Sequence, residues 1–112
     1  MGNELPEGVK YDGGKPRFTL IPPTFLLEVA KVMTAGSDKY ADFNWVFVKD
    51  AKKRYHDALQ RHINAVLRGE QFDEETGLSH YAHATCCIAF LYELENVLTE
   101  AQINKEAPLP YV

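Results

Sequence analysis

The sequence predicts an all-α protein with three main helices and an irregular N-terminal arm. Apolar residues recur at helical spacing in three stretches, which start near Thr24, Asp50 and Ser79. Glycines and prolines are so dense in residues 1–23 that no helix is expected there. Because 112 residues suffice for one compact domain and not for two, we assign the chain to a single domain that ends in a polar tail, residues 99–112.

The N-terminal arm combines cations with aromatic rings. Lys15 and Arg17 alternate with Tyr11 and Phe18, an arrangement that suits an arm laid over a phosphate-bearing ligand. A solvated leader, pinned by its apolar residues, is the alternative. Residues 18–21 are expected to form at most a short extended piece before the paired prolines.

The first helix is expected to begin at Thr24, just past the prolines, and to end before Gly36. The loop that follows, residues 37–45, carries a cation, an amide and several aromatic rings. Such a loop can stack on a flat ring and bond its edges, although aromatic residues after a helix more often serve packing. On pattern alone the loop is therefore not assigned as a site.

The second helix should extend from an N-cap at Asp50 to a terminating glycine at Gly69. At about 100° per residue, His62 falls in the centre of its apolar stripe, and Arg54 and Arg61 lie on a flanking face. A lone histidine in such a stripe is usually a core residue whose ring nitrogens bond a carboxylate or carbonyl. His62 is not alone, because further histidines and carboxylates follow it, and this favours a role as a ligand.

The third helix should start at residue 78 or 79 and end near Leu98. His80 and His83, one turn apart, project together from its first turns. The opposite side is also apolar, from Ala82 to Phe90, so both sides need cover. Since a short chain has few helices to supply that cover, we expect a homo-oligomer, a dimer or tetramer, in which this helix is buried.

Composition and charge argue against several classes of protein. A net charge of −4 and an isoelectric point near 5.5 disfavour a nucleic-acid binder, which would need a basic face. No apolar run is long enough to cross a bilayer, and no secretory signal is recognised. The adjacent Cys86 and Cys87 cannot pair without strain and are expected to be buried in a reducing compartment. We therefore expect a cytoplasmic protein with no membrane partner.

Imidazoles and carboxylates are concentrated between the second and third helices. The candidate metal ligands are three histidines and two carboxylates: His62, Asp73, Glu75, His80 and His83. Neutral imidazoles together with carboxylates suit Mn²⁺, Co²⁺, Fe²⁺ or Zn²⁺ better than Mg²⁺, which favours oxygen ligands. In the alternative interpretation, the histidines of the third helix are ordinary first-turn residues and the acidic residues only cap that helix.

A set of short motifs with specific spacing runs through most of the chain up to about Glu95. The motifs are, in order, Lys10-Tyr11-Asp12, Gly14-Lys15-Pro16-Arg17-Phe18, Leu20-Ile21-Pro22-Pro23, Lys39-Tyr40, Asn44-Trp45, Arg54-Tyr55, Arg61-His62, Gly69-Glu70, Asp73, Glu75, Gly77-Leu78, His80 and Ala82-His83-Ala84. This set resembles the phage-encoded dATP/dGTP diphosphohydrolase-like family, which is related to the MazG-like all-α nucleoside triphosphate pyrophosphohydrolases.

The resemblance implies a MazG-like helical bundle that hydrolyses a purine deoxynucleoside triphosphate, dATP or dGTP, to the monophosphate and pyrophosphate. A divalent ion is expected as cofactor, Mn²⁺ or Mg²⁺ first, with Co²⁺, Fe²⁺ or Zn²⁺ as alternatives. Asp73 and Glu75 would be the catalytic carboxylates. The purine nucleotide would be bound by cations, an amide and aromatic rings: Lys15, Arg17, Lys39, Tyr40, Asn44, Trp45, Arg54 and Arg61.

One departure from the MazG pattern leaves the activity open. MazG-like enzymes carry a Glu-Glu-x-x-Glu helix that faces a Glu-x-x-Asp helix. Here His62 and Ala65 stand in the first motif, and His80 and His83 stand in the second. A phage protein that binds nucleotide without hydrolysing it, in the host cytoplasm, is therefore the alternative function. A helical interaction module with structural histidines is a third.

Overall fold

The computed structural model describes residues 5–111; residues 1–4 of the predicted arm and residue 112 of the predicted tail lie outside this part. The α-helices are α1 (Pro23–Lys39), α2 (Ala51–Leu67), α3 (His80–Asn96) and α4 (Glu100–Ile103), and 3-10 turns occupy Phe18–Leu20 and Asn44–Phe47. Over residues 5–111, the β pairing is limited to an isolated bridge between Phe72 and Ser79. The predicted all-α fold with three main helices is therefore confirmed. None of the helices described has the length and apolarity of a membrane span.

The extended piece predicted at residues 18–21 is wrong. Phe18–Leu20 forms a 3-10 turn, which is closed by the N–H of Ile21 donating to the carbonyl of Phe18 over 3.0 Å. Ile21 alone has the extended conformation, since the proline that follows disfavours helical backbone before it. All described residues of the arm are exposed, so the arm adds no buried side chain to the core.

The prediction that the first helix ends before Gly36 is also wrong, because α1 continues to Lys39. A glycine inside a helix costs about 1 kcal/mol relative to alanine, and the packing of Val32 against α3 offsets this cost. The first residue of α1 is Pro23, whose missing N–H is no loss in the first helical turn. As a result, Lys39 sits in the last turn of α1 and reaches the segment that joins α2 to α3.

That connecting segment is a tight loop with its own hydrogen bonds. Gly69, with a φ of +94°, follows the end of α2 as predicted. The Ser79 hydroxyl caps α3 by accepting from two N–H groups of its first turn. Between them, the N–H of Asp73 donates to the carbonyl of Leu78 over 2.8 Å. The loop therefore holds its acidic residues at a defined place between the two helices.

α3 lies between α1 and α2 and forms the centre of the fold. Its Ala82 and Cys86 pack against Val32 of α1, and α3 also makes extensive contact with α2. Cys86 and Cys87 are buried and form no disulfide, as predicted. Since α1 covers the apolar side of α3 that suggested self-association, this side requires no second copy of the chain.

A different apolar stripe of α3 remains exposed. Tyr81, Ile88 and Tyr92 share one face of the helix, and their exposed fractions are 56%, 54% and 60%. Leu26 and Leu27 of α1 are exposed to a similar extent. Burial of such side chains is favourable at about 25 cal/mol per Å² of apolar surface, so association would stabilise these surfaces.

The C-terminal tail folds back onto the helices. Thr99 starts α4 with a capping box that it forms with Gln102. The Gln102 side chain then donates to the carbonyl of Pro108 over 3.0 Å, and the Tyr111 hydroxyl donates to Glu93 of α3 over 2.6 Å. The first bond folds the tail on itself, and the second attaches its end to α3.

Candidate functional site

Three candidate ligands from three elements meet at the junction of α2 and α3. His62 comes from α2, Asp73 from the connecting loop and His80 from the first turn of α3. One ligand atom of each lies within 4.8 Å of the others. The closest pair is Nδ1 of His62 and Nδ1 of His80, which are 2.9 Å apart. Two nitrogens that each bind one ion at about 2.0–2.1 Å are separated by about 3 Å, so this pair fits a shared ion.

His62 has the protonation state that a ligand needs. Partial burial lowers its pKa, and the electrostatic cost of placing positive charge on more than one of the clustered rings of His62, His83 and His80 lowers it further, to about 4. The imidazole is therefore neutral at neutral pH. A neutral imidazole binds a metal ion through its nitrogen lone pair without first losing a proton.

Asp73 is held as a carboxylate by Thr76. The N–H and the hydroxyl of Thr76 donate to Oδ2 of Asp73 over 2.9 Å and 3.1 Å. Burial acts to raise the pKa of Asp73, but these hydrogen bonds and the nearby histidines outweigh it and leave the pKa below its ordinary value. Thr76 was not among the predicted site residues. The Asp-x-x-Thr spacing is the signal that identifies it, because short polar side chains bond the backbone nearby in turns.

His83 supports this group from one side. Its ring stacks on that of His62, with centroids 4.6 Å apart and planes inclined by 12°. Its Nε2 lies 2.8 Å from the hydroxyl oxygen of Thr76. Because that hydroxyl already donates to Asp73, His83 must be the donor in this contact. Burial lowers the pKa of His83, which keeps the ring neutral.

His80 is the most deeply buried member, with 5% of its surface exposed. Among the described residues, its Nε2 has no hydrogen-bond partner, and the carboxylate of Glu70 lies 3.6 Å away. A nearby carboxylate favours the tautomer that carries its hydrogen on Nε2. The lone pair is then on Nδ1, the atom that approaches His62.

Glu75, the remaining predicted ligand, is outside the three-residue group. Its Oε1 forms an ion pair with Nζ of Lys39 over 2.8 Å, and the hydrogen bond with Glu75 raises the pKa of Lys39. Both side chains are exposed. Glu75 is therefore linked to α1, and it borders the same cleft as His62 and Asp73.

An open cleft of about 1240 Å³ lies beside these residues. Its lining includes six of the predicted substrate-binding residues: Lys39, Tyr40, Asn44, Trp45, Arg54 and Arg61. Lys15 and Arg17 are in the exposed arm and do not belong to the lining. The cleft thus brings three cations and an aromatic loop to the side of the histidines.

Aromatic rings form one wall of this cleft. Trp45 stacks on Phe90 with centroids 4.7 Å apart and planes inclined by 12°, and Tyr55 meets Phe90 edge-on at 5.2 Å. One face of Trp45 is therefore used in packing, whereas Tyr40 is 64% exposed. Both interpretations of the aromatic loop apply, since Trp45 packs and Tyr40 borders open space.

Acid is expected to destabilise the protein in two steps. The folded pKa of His62, about 4, lies below its ordinary value, so in mild acid His62 takes up a proton when the protein unfolds. Its contribution to the free energy of unfolding is therefore complete above about pH 6.5 and is lost as the pH falls toward 4. Asp73, whose pKa is also lowered, adds stability that is lost only below pH 3.8. Solvent screening weakens the first effect, and we expect the free energy of unfolding to fall by about 1 kcal/mol from pH 7 to pH 5.

Urea denaturation in EDTA at the two pH values measures this change. The variant His62→Leu should show a smaller difference than the wild type, because it lacks the group that takes up the proton. Exposed His56 provides the control, and His56→Leu should keep the wild-type difference. Equal stability of the wild type at pH 7 and pH 5 would contradict the prediction.

Comparison with known proteins identifies similar sequences. The sequence model of a family described as "dATP/dGTP diphosphohydrolase, N-terminal" matches residues 6–104. A protein of Salmonella phage PMBT28 named dATP/dGTP diphosphohydrolase is 40% identical over 89 residues, which are 80% of this chain and 30% of that protein. The chain thus spans about a third of the length of that relative. No solved structure matches the chain.

Proposed function

Because the chain belongs to the dATP/dGTP diphosphohydrolase N-terminal family, we propose that it forms the site for metal-dependent hydrolysis of a purine deoxynucleoside triphosphate. The products would be the monophosphate and pyrophosphate. The name of the phage relative supports dATP or dGTP as substrate. The observation that carries the proposal is the meeting of His62, Asp73 and His80 beside a cleft lined with cations.

The donor set supports a divalent ion as cofactor. His62, Asp73 and His80 would hold it, with Glu75 and His83 as the further ligands that the sequence indicates. When bound, such an ion polarises a phosphoryl oxygen and lowers the pKa of a bound water. Two imidazoles favour Mn²⁺, Co²⁺, Fe²⁺ or Zn²⁺ over Mg²⁺, and Mn²⁺ is the ion to test first, beside Mg²⁺.

The cations of the cleft would bind the triphosphate. Lys39, Arg54 and Arg61 all line the cleft and are exposed, and guanidinium groups bind phosphate oxygens through paired hydrogen bonds. Lys15 and Arg17 lie on the exposed arm and would reach the phosphates only when the arm folds over the cleft. Deletion of residues 1–19 tests this role, because it should weaken nucleotide binding while leaving the helix content unchanged.

The base would lie against the loop that follows α1. Tyr40 offers an exposed ring for stacking, and Asn44 offers an amide that can bond the edge of a purine. Trp45 would contribute through its edge or its second face, because Phe90 covers the first.

Asp73 and Glu75 would act as the catalytic carboxylates. Asp73 is held in place by Thr76 and would orient the attacking water. Glu75 is paired with Lys39, and a triphosphate that attracts Lys39 would release the Glu75 carboxylate to accept a proton from that water.

Incubation with each dNTP in the presence of Mn²⁺ or Mg²⁺, followed by separation of the products, tests the function. Release of monophosphate and pyrophosphate from dATP or dGTP is the expected result. Tight binding without turnover would instead support the alternative, a phage protein that retains nucleotide in the host cytoplasm. If the protein neither binds nor hydrolyses any dNTP, the result would support the third interpretation, a helical interaction module.

A homo-oligomer, a dimer or tetramer, is part of the proposal. Its support is the exposed stripe of Tyr81, Ile88 and Tyr92, which a two-fold contact would bury. Sedimentation at micromolar concentration should give a multiple of 12.7 kDa. Ile88→Glu should shift the mass toward one chain, whereas Gln60→Glu on α2 should not. A wild-type mass of one chain would contradict the prediction.

A further inference from the structure

The loop that forms the aromatic wall of the cleft, residues 40–48, has few backbone attachments to the rest of the protein. Its backbone hydrogen bonds are local, such as Asn44 to Ala41 and Val46 to Phe43. What fixes the loop is its side chains: Val46 is fully buried, and Trp45 stacks on α3. The position of the loop therefore depends on the partners of its aromatic rings.

One of those partners belongs to the C-terminal tail. The ring of Tyr111 stacks on Phe43, with centroids 5.1 Å apart and planes inclined by 20°, and lies 6.0 Å from Trp45 at a tilt of 47°. Phe43 and Trp45 line the cleft, whereas Tyr111 does not. Tyr111 thus lies behind the wall, in contact with two of the rings that form it.

Tyr111 is itself fixed to α3. Its hydroxyl donates to Oε1 of Glu93 over 2.6 Å, which is the length of a strong, charge-assisted hydrogen bond. Burial and this bond both raise the pKa of Tyr111, so the phenol remains a donor at neutral pH. Within the tail itself, the Gln102 side chain donates to the carbonyl of Pro108, which closes the turn between α4 and Tyr111.

The backbone of Phe43 shows why such support is needed. Its φ of +58° is left-handed, a conformation that bulky residues other than glycine rarely adopt. A strained residue keeps such a conformation only when its surroundings fix it. Phe43 directly precedes Asn44, so a change in the backbone conformation of Phe43 would move the side-chain amide of Asn44, which borders the cleft.

We propose that Tyr111 is a positioning residue for base recognition: by stacking on Phe43 and Trp45 while bonded to Glu93, it holds the base-binding side of the cleft in place. This rests on the proposed function. The tail would contribute to binding of the base and not to binding of the phosphates, because the ring contacts and the hydrogen bond of Tyr111 go to Phe43, Trp45 and Glu93 and not to the cations of the cleft. Tyr111 also lies beyond residues 6–104 that match the family.

Binding of dGTP and dATP, compared with binding of inorganic tripolyphosphate, tests the proposal by calorimetry on the full chain. Tyr111→Ala should weaken dNTP binding by about 3- to 10-fold, the value of an aromatic stacking pair, with tripolyphosphate binding within 2-fold of the wild type. Tyr111→Phe keeps the stack and should lose about 2- to 3-fold. Glu93→Gln should behave like Tyr111→Phe, and Glu95→Gln, two residues along α3, is the matched control.

Unchanged dNTP binding in Tyr111→Ala would overturn the proposal, and so would an equal loss of dNTP and tripolyphosphate binding. Fluorescence gives an independent readout, because Trp45 is the single tryptophan. Acrylamide should quench Trp45 more strongly in Tyr111→Ala than in the wild type, and equal quenching would also overturn the proposal. If Tyr111→Ala fails to fold, Tyr111→Leu replaces it. If the wild type binds no dNTP, the proposed function is wrong. The quenching comparison would then still test whether Tyr111 holds Trp45 in place.

Discussion

Asp73→Asn is expected to lower the affinity for Mn²⁺ by more than about 100-fold, beyond the loss typical of residues that only support a ligand, and to remove dNTP hydrolysis. The substitution replaces a carboxylate by a neutral amide of the same size. The amide oxygen can still accept from the N–H and hydroxyl of Thr76. The loop between α2 and α3 should therefore keep its shape while the site loses its negative charge.

Calorimetric Mn²⁺ titration, product separation and thermal melting together measure the effect. Asp57→Asn is the matched control, since Asp57 also borders the cleft but does not belong to the group of His62, Asp73 and His80. It should bind Mn²⁺ as the wild type does. If Asp73→Asn binds Mn²⁺ and hydrolyses dNTP normally, Asp73 is neither a metal ligand nor a catalytic residue.

Local sequence signals predict the central helices well. Gly69 follows the end of α2, and Ser79 caps α3 through its hydroxyl. Asp50 stands at the predicted N-cap position of α2, but its side chain makes no capping hydrogen bond there. The gathering of imidazoles could be foreseen for a similar reason. His62 lies on the apolar stripe of one helix and His80 on the first turn of the next, and a short connection brings such positions together.

Features that depend on tertiary packing were not predictable. Gly36 has the local signature of a helix end, but contacts between α1 and α3 carry the helix past it. The same contacts cover Ala82 and Cys86, whose exposure had been the argument for self-association. The pattern of one helix does not reveal which of its neighbours in the chain will cover it.

The site depends in the same way on contacts that no short motif encodes. Lys39 reaches Glu75 over 36 positions of sequence only because α1 is one turn longer than its glycine suggests. Tyr111 reaches Phe43 because the tail turns back at α4. Residue types identify the chemistry of the site, and the packing of α1 and the tail decides which side chains share it.

His83→Ala is expected to lower Mn²⁺ affinity by about 10-fold or more and to remove hydrolysis. As a proposed ligand, His83 supplies a neutral imidazole beside His62, on which it stacks at 4.6 Å. Its loss also frees one side of the His62 ring and removes the donor to Thr76. The bond from Thr76 to Asp73 does not involve His83, so the loop should stay ordered.

A purely structural His83 would give the opposite pattern. The substitution would then leave a cavity and remove the hydrogen bond from His83 to the Thr76 hydroxyl, which costs about 1–3 kcal/mol of unfolding free energy, while Mn²⁺ binding would be retained. Calorimetric titration alongside thermal melting separates the two results. His56→Ala is the control, because His56 is an exposed histidine of α2 that lies 3.5 Å from Glu95 and outside the cleft lining. A His83→Ala protein that melts early and binds Mn²⁺ normally would refute the ligand assignment and leave His62, Asp73 and His80 as the metal site.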